Sequence, residues 1–250
     1  MRLQALLFDM GGTLDDYRFD SASALASLPE LRSLLARAGL GRLPGDEELL
    51  ALVAAGEERY RAFREAELLE LEPETVWRDY YLRGSGPLPG LTPELGESLA
   101  LIVDTRFHPR SLRPEAPAAL AALRARGLKL GIVSNVLSRG QVPADLERYG
   151  IAGLFDAVLT SSEYGRRKPH PSIFLECAAR LGAAAGDCGY VGDRVSRDVA
   201  GARRAGFALA VRIRHDFPAR PEPGNPAPDL VIDRLDELAP ALDRFEQGGS

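Results

Sequence analysis

The chain has 250 residues, of which 45% are apolar and 27% charged, a composition typical of a globular protein with a full hydrophobic core. Its net charge is −5, and Arg and Glu are interspersed along the chain, which argues against a nucleic-acid or membrane partner and favours a small molecule. No span is long enough to cross a bilayer and no secretory leader precedes the first predicted strand, so we expect a cytoplasmic protein of unknown oligomeric state.

The first predicted element is a buried strand within Leu3–Leu14 that ends on Asp9. An apolar run is followed by a carboxylate, two glycines and Thr13, a pattern typical of a strand that breaks into a tight turn. Asp9 therefore lies at the carboxyl end of a strand, where open α/β sheets bind their ligands. A carboxylate there can act as a nucleophile and form a covalent intermediate.

A block of predicted helices follows, without convincing strands. The candidates are Ala24–Ala38, Asp46–Glu70, Pro73–Tyr81 and Pro93–Arg106. The first strand needs partners from later in the chain, so we predict that residues 17–109 form an inserted helical cap domain. Residues 1–16 and 110–250 would then form the core.

From Leu112 onward, short apolar strands alternate with helices. The predicted helices are Pro114–Arg126, Arg139–Tyr149, Pro171–Leu181, Val195–Ala205 and Asp236–Phe245, and the predicted strands are Leu128–Ser134, Ala157–Thr160, Gly189–Val191, Ala208–Val211 and Leu230–Ile232. A Pro-rich surface loop is predicted over Asp216–Pro228. This alternation predicts an α/β fold, a doubly wound parallel sheet of the Rossmann-like type with the all-helical cap inserted.

Three later stretches place polar side chains at further strand ends. Ser134 and Asn135 end a strand and are suited to holding a phosphoryl oxygen, although a helix-capping role explains Ser134 equally well. Lys168 and Lys129 are the only lysines in the chain, and Lys168 sits among prolines. Its ammonium can offset anionic charge, although a surface lysine is the simpler interpretation.

The last of these stretches is acidic. Asp193 follows a buried strand and a glycine, and Asp198 falls in the first turn of the next helix. Together with Asp9 they would make an oxygen-rich site suited to Mg²⁺. For Asp198 the alternative is an acid that stabilises a helix N-terminus.

These stretches resemble, in order, the four motifs of the haloacid dehalogenase (HAD) superfamily, in its branch with a helical cap inserted after the first motif. The matching segments are Asp9-Met-Gly-Gly-Thr-Leu, Leu130-Gly-Ile-Val-Ser-Asn135, Ser161-Ser-Glu-Tyr-Gly-Arg-Arg-Lys-Pro169 and Val191-Gly-Asp-Arg-Val-Ser-Arg-Asp198. The resemblance covers nearly the whole predicted core.

The resemblance implies a role for each motif residue in a Mg²⁺-dependent phosphatase acting on a small phosphorylated metabolite. Asp9 would be the nucleophile that forms an aspartyl-phosphate, assisted by Lys168 and Ser134. The implied phosphate-binding residues are Thr13, Ser134, Asn135 and Lys168. The implied metal ligands are Asp9, Asp193 and the backbone carbonyl of Gly11, with Asp198 orienting the metal shell.

One position departs from the pattern of such phosphatases, which usually carry a second Asp two residues after the nucleophile. That Asp protonates the leaving group and later activates water, and here the position is Gly11. Losing a general acid costs a factor of about 10² to 10⁴ in rate. Asp15 or Asp16 could substitute through a water molecule, or the substrate could have a leaving group that needs little protonation. Restoring the acid by Gly11→Asp is expected to raise turnover.

Two other functions stay open at this stage. A degenerate family member would bind a phosphorylated ligand or a partner without turnover. A dehalogenase-like hydrolase ranks third, because that branch resembles this chain in lacking the second Asp but needs no metal. A Schiff-base mechanism is disfavoured, since the predicted cap has no lysine.

Cap side chains would select the substrate, and the polar and aromatic candidates are Arg59, Arg64, Trp77, Tyr80 and Tyr81.

Overall fold

The computed structural model describes residues 2–215 and 224–248. Its strands are β1 (Ala5–Phe8), β2 (Asp15–Tyr17), β3 (Arg110–Leu112), β4 (Lys129–Ser134), β5 (Ala157–Thr160), β6 (Cys188–Gly192), β7 (Leu209–Ile213) and β8 (Leu230–Ile232). Its α-helices are α1 (Ser21–Arg37), α2 (Asp46–Glu67), α3 (Pro73–Val76), α4 (Pro93–Ile102), α5 (Ala116–Ala125), α6 (Gln141–Arg148), α7 (Ser161–Tyr164), α8 (Pro171–Arg180), α9 (Ala200–Arg204) and α10 (Leu238–Gly248).

Wider π-helical turns adjoin three of these helices. They span Trp77–Tyr81 after α3, Val103–Phe107 after α4 and Val195–Val199 before α9. Single 3₁₀ turns occur at Ala152–Leu154, Ala185–Asp187 and Leu235–Glu237.

The core is a six-stranded parallel sheet in the order β5-β4-β1-β6-β7-β8. The predicted α/β doubly wound fold is confirmed. Strands β4 and β5 lie on one side of β1 and the later strands on the other, so the direction of winding reverses at β1. Such a switch point opens a crevice at the carboxyl ends of the strands, where ligands bind.

Strand β1 lies at the centre because its sequence is apolar on both faces. Leu6 and Phe8 pack into one apolar cluster and Ala5 and Leu7 into another on the opposite face. All four side chains are fully buried, as expected for a parallel strand covered by helices on both sides. Both cysteines, Cys177 and Cys188, are buried free thiols within the second cluster.

Helices α1 to α4 pack around a third apolar cluster, which contains the large side chains of Tyr60, Trp77 and Tyr81. A feature that the sequence did not indicate connects this helical block to the core. Strands β2 and β3 form a two-stranded antiparallel ribbon, with Asp16 opposite Ser111. The ribbon brings together the two crossings between block and core. We call this helical block the cap; its predicted limits of 17–109 stay a prediction, and the third cluster combines residues within those limits with Leu137.

Two further expectations concern the ends of the fold and its surroundings. Residues 216–223 of the predicted loop Asp216–Pro228 lie outside the described residues. Among the residues that the structure describes, no helix combines the length and apolarity that a bilayer crossing requires.

Candidate active site

The carboxyl ends of three neighbouring strands, β4, β1 and β6, lie next to one another at one edge of the sheet. Residue Phe8 of β1 is level with Ile132 of β4 and with Val191 of β6, so all three strands end at similar heights. Asp9 directly follows β1, and its backbone N–H donates to Val191 O at 2.9 Å. Asp193 directly follows β6, and Ser134 is the last residue of β4.

The carboxylates of Asp9, Asp193 and Asp198 converge, with ligand oxygens within 4.8 Å of one another. All three residues are buried. Two glycines make this approach possible. Gly12 has φ +81°, and a Cβ there would lie 2.7 Å from Asp193 Oδ2. A Cβ on Gly192 would lie 2.4 Å from Asp198 Cγ. Any larger residue at either position would push the acids apart.

Burial and mutual repulsion raise the pKa values of acids in this cluster, and the charges of Lys168, Arg194 and Arg197 oppose that rise. Burial, followed by the neighbouring charges of Asp198 and Asp9, raises the pKa of Asp193 to about 7. Burial also raises the pKa of Asp9, against the opposing effect of Lys168. Asp193 Oδ1 is buried and has no hydrogen-bond partner among the described residues. Hard oxygen donors in this arrangement fit a divalent cation such as Mg²⁺.

Lys168 is a buried cation of the site, and its ammonium group lies close to three oxygen atoms. Nζ lies 2.8 Å from Asp9 Oδ1 and 2.7 Å from Asp198 Oδ1, and it donates to the Tyr190 hydroxyl at 2.8 Å. That hydroxyl in turn donates to Val133 O at 3.0 Å. The ammonium therefore lies between two carboxylates and a hydroxyl group.

Asn135 fixes the backbone that carries this lysine. Its side-chain Nδ2 donates to Lys168 O at 3.0 Å, and its Oδ1 accepts from Lys168 N at 2.9 Å. Both ends of the amide are therefore used within the protein. The predicted contact of Asn135 with phosphate stays a prediction.

A cavity of about 160 Å³ opens above Asp9 towards the helical block. Its core side carries Asp9, Gly11, Ser134, Asn135, Lys168 and Arg197, and its cap side carries Glu57, Arg64, Tyr81, Asp104 and His108. The cavity is small compared with drug-binding pockets of about 300–1,000 Å³. It therefore suits a ligand of few atoms.

The remaining predicted phosphate ligands occupy different positions. Ser134 lines the cavity and is 5% exposed. Thr13 is fully buried beneath it, and its Oγ1 has no hydrogen-bond partner among the described residues. Their contacts with phosphate also stay predictions.

The space beside Gly11, where the second Asp of the motif would project, is filled by two side chains. A Cβ on Gly11 would lie 2.7 Å from Arg110 Nη2 and 2.7 Å from Tyr17 Cε1. The Arg110 guanidinium lies over the Tyr17 ring, 4.6 Å from its centroid. Both residues belong to the β2–β3 ribbon and both line the cavity of Asp9.

The two predicted substitute acids do not face this cavity. Asp15 is fully buried and accepts two hydrogen bonds of 2.8 Å from Arg110 Nε and Nη2, and a third from Tyr149 at 3.0 Å. Asp16 is half exposed and lies 2.7 Å from His215 Nε2, beside a separate cavity. The structure therefore does not bring Asp15 or Asp16 together with Asp9, and a role for either in proton transfer stays a prediction.

The cap contacts the loop of Lys168 through Glu70, which sequence reasoning missed. Glu70 is buried, pairs with Arg167, and accepts hydrogen bonds from Ser161 Oγ at 2.5 Å and from Tyr60 at 2.6 Å. The backbone adds to this, because Arg167 N donates to Leu68 O at 3.0 Å. The residue next to Lys168 is thus held by the cap.

The pKa values of two cap carboxylates in the cavity shift in opposite directions. Burial would raise the pKa of Glu57, but Arg64 and the Tyr81 hydroxyl outweigh it and lower that pKa. Burial raises the pKa of Asp104 to about 6, although a hydrogen bond from Ser138 N opposes the shift. Of the proposed cap candidates, Arg64 and Tyr81 reach the cavity, whereas Trp77 lies fully inside the cap.

The sequence resembles that of several characterised proteins. The chain matches the family profile described as haloacid dehalogenase-like hydrolase over residues 3–206. Glyceraldehyde 3-phosphate phosphatase of Methanopyrus kandleri is 35% identical over 240 residues, covering 94% of this chain and 95% of that protein. Phosphoserine phosphatase of Thermus thermophilus is 38% identical over 206 residues, covering 80% and 71%.

Solved structures agree in fold. A 2-haloacid dehalogenase from Pseudomonas syringae has a TM-score of 0.65 and 26% identity, covering 97% of this chain and 99% of that one. A HAD phosphatase from Thermococcus onnurineus has a TM-score of 0.61 and 25% identity, covering 96% and 98%. With a family profile that spans most of the chain, this protein belongs to the haloacid dehalogenase-like hydrolases.

Proposed function

We propose that the protein is a Mg²⁺-dependent phosphatase of a small phosphorylated metabolite and that it acts through an aspartyl-phosphate on Asp9. The observation that carries the proposal is the convergence of three buried carboxylates and one buried ammonium, of which Asp9 and Lys168 line a small cavity. The named phosphatase relatives support the same reaction class.

The donor set supports Mg²⁺ as the cofactor. Asp9, Asp193 and the Gly11 carbonyl would hold the ion, and Asp198 would orient its shell. The unpartnered Asp193 Oδ1 supplies a free acceptor for it. When bound, the ion would neutralise negative charge on the phosphoryl oxygens, which is the main requirement of phosphoryl transfer.

The residues of the chain would divide the remaining work. Asp9 Oδ attacks phosphorus, the bond between phosphorus and the leaving oxygen breaks, and its electron pair departs with that oxygen. Lys168, already 2.8 Å from Asp9, would move part of its hydrogen bonding to the phosphoryl oxygens. Ser134 would donate to another of them, and Asn135 would hold the lysine loop in register. Water then releases phosphate from Asp9.

The cavity supports a metabolite of few atoms. Its volume is about 160 Å³, and its cap side is polar, with Arg64, Tyr81 and His108 facing the core. The relatives named above act on glyceraldehyde 3-phosphate and phosphoserine, both small phosphate esters. We propose a substrate of similar size.

A dehalogenase reaction has a specific observation in its favour, since a 2-haloacid dehalogenase is among the similar structures. Halide displacement needs a nucleophilic carboxylate but no metal-binding cluster. The unpartnered Asp193 oxygen within a cluster of three buried carboxylates suits a divalent cation, which favours phosphate chemistry.

The proposal is tested by phosphate release from p-nitrophenyl phosphate and acetyl phosphate, with Mg²⁺ and with EDTA. We expect release that requires Mg²⁺ and disappears in Asp9→Asn, whose side chain has the same shape but is a poor nucleophile. A matched control is Asp156→Asn, a surface acid that pairs with Arg124, and this variant should retain full activity. No release from either substrate would favour a binding protein without turnover.

A further inference from the structure

The chemistry available beside Gly11 restricts the substrate class, and this inference rests on the proposed function. In the cavity, the place beside Gly11 is occupied by the guanidinium of Arg110 and the ring of Tyr17. A guanidinium stays protonated in proteins, so Arg110 offers positive charge and N–H donors but no transferable proton. The leaving group at this position would meet a fixed cation.

The surroundings hold Arg110 in place as that cation. Asp15 binds it through two hydrogen bonds of 2.8 Å and is itself fully buried. These bonds use two of the five N–H groups of the guanidinium, which leaves others to face the cavity. Tyr17 covers one face of the guanidinium at 4.6 Å and so fixes its plane. Such a preorganised donor can stabilise developing negative charge in a site of low dielectric.

We propose that the enzyme acts on small acyl phosphates, whose leaving group departs as a carboxylate without being protonated. In the first step Asp9 Oδ bonds to phosphorus, the bond between phosphorus and the acyl oxygen breaks, and the electron pair stays on the carboxylate, next to Arg110. No proton moves. The product carboxylate is a stable anion that pairs with a guanidinium in the geometry Arg favours.

The second step also balances without an acid. Water attacks the phosphorus of the aspartyl-phosphate, and Asp9 departs as a carboxylate, again without protonation. The protons of the water pass to the phosphate product and to solvent. Since aspartyl-phosphate is itself an acyl phosphate, the bond broken in each step is of the same kind. A site that lacks an acid beside Gly11 is therefore sufficient for this substrate class, whereas an alkoxide leaving group would require a proton.

The test compares leaving groups on the wild-type enzyme with Mg²⁺. The probes are acetyl phosphate, a series of substituted phenyl phosphates and glycerol 2-phosphate, and the readout is kcat/KM from phosphate release. We expect kcat/KM to fall steeply as the basicity of the leaving group rises, with glycerol 2-phosphate about 10² to 10⁴-fold below acetyl phosphate, the factor that a general acid typically supplies.

A second experiment removes the charge of Arg110 together with that of its partner Asp15. The double variant Arg110→Gln with Asp15→Asn removes both charges of the pair, and buried Asp145, which also lies 3.5 Å from Arg110 Nε, keeps its closer partner Arg148 at 2.6 Å. We expect it to lower kcat/KM for acetyl phosphate by about 10² to 10³-fold, as the loss of one charge-stabilising donor does elsewhere. The matched control removes the exposed pair Arg124 and Asp156 by Arg124→Gln with Asp156→Asn, and it should change neither rate nor slope. A melting curve shows that each variant is folded.

The outcomes separate the inference from the function on which it rests. Phosphate release with a flat dependence on the leaving group would overturn the inference alone, because a proton donor must then act, and Asp104 on the cap side would be the next candidate. Unchanged acetyl phosphate turnover in the folded Arg110 and Asp15 double variant would overturn it as well. No release from any probe would overturn the proposed function itself.

Discussion

Replacing Lys168 by Met tests the electrostatics of the site most sharply. The substitution keeps an unbranched side chain that is one atom shorter and removes the ammonium that lies 2.8 Å from Asp9 and 2.7 Å from Asp198. The lysine side chain is only 1% exposed, so the two carboxylates would lose their closest cation in a buried setting. Removing one partner of a buried ion pair costs about 3–5 kcal/mol of the free energy of unfolding.

For a chain of this size, 1 kcal/mol corresponds to about 2–4 °C in the melting temperature, so Lys168→Met should melt about 6–20 °C below wild type. The assay is thermal unfolding at pH 7 with EDTA, since Mg²⁺ would replace part of the lost charge. The control is Lys129→Met at the only other lysine, an exposed residue whose ammonium donates to Leu181 O at 2.6 Å. For Lys129→Met we expect the free energy of unfolding to fall by about 1 kcal/mol or less. Equal melting temperatures for the two variants would refute the reasoning.

Three further predictions concern the metal, the cap and pH. Mg²⁺ at 100 times its Kd should stabilise the wild type by about 2.7 kcal/mol, and Asp193→Asn should lose this effect in a melting assay. Glu70→Gln should leave buried Arg167 without a charged partner and lower the free energy of unfolding by about 3–5 kcal/mol. It should also reduce kcat, because Lys168 is the next residue after Arg167. A normal kcat would contradict the coupling between Glu70 and the position of Lys168. Asp104 has a pKa raised to about 6, so its proton is held more tightly when folded, and its contribution to stability declines as pH rises from about 4 to 6. Asp104→Asn should therefore raise the free energy of unfolding by up to about 3 kcal/mol at pH 7.5, seen as a higher melting temperature, but not at pH 4.

The strand ends and their polar residues could be predicted because local signals mark them. Apolar runs end on Asp9, Ser134 and Asp193, and in a parallel sheet such ends meet at one edge. The close packing of the acid cluster is also marked in the sequence, since the glycines that permit it, Gly12 and Gly192, are part of the motifs. The placement of Lys168 and Asp198 at the site follows because both lie in loops or first helical turns after strands of the same sheet.

The side chains that fill the place beside Gly11 could not be predicted. Arg110 is 95 positions away from its partner Asp15 in the chain, and the ribbon that joins them has two strands of only three residues each, too short for a periodic pattern. For this reason, the expectation that Gly11→Asp raises turnover needs revision. The new carboxylate would meet Arg110 Nη2 and the Tyr17 ring, and an ion pair with Arg110 would keep it deprotonated.

The contact between the cap and the lysine loop was also beyond the sequence. The predicted helix Asp46–Glu70 ends at Glu67, because Leu68 adopts a left-handed conformation with φ 53°. Glu70 is thereby released from the helix and reaches Arg167 in the core. A non-glycine residue in this conformation gives no sequence signal. Arg197 was equally unmarked, although it adjoins Asp198 and lines the cavity.

The most direct test of the central claim is a crystal structure with BeF₃⁻ and Mg²⁺, which together mimic a phosphorylated aspartate. We predict beryllium bonded to a carboxylate oxygen of Asp9, fluorides contacted by Lys168 and Ser134, and one Mg²⁺ held by Asp9 and Asp193. Saturating BeF₃⁻ and Mg²⁺ that leave Asp9 unmodified, or an ion bound away from Asp193, would contradict the account.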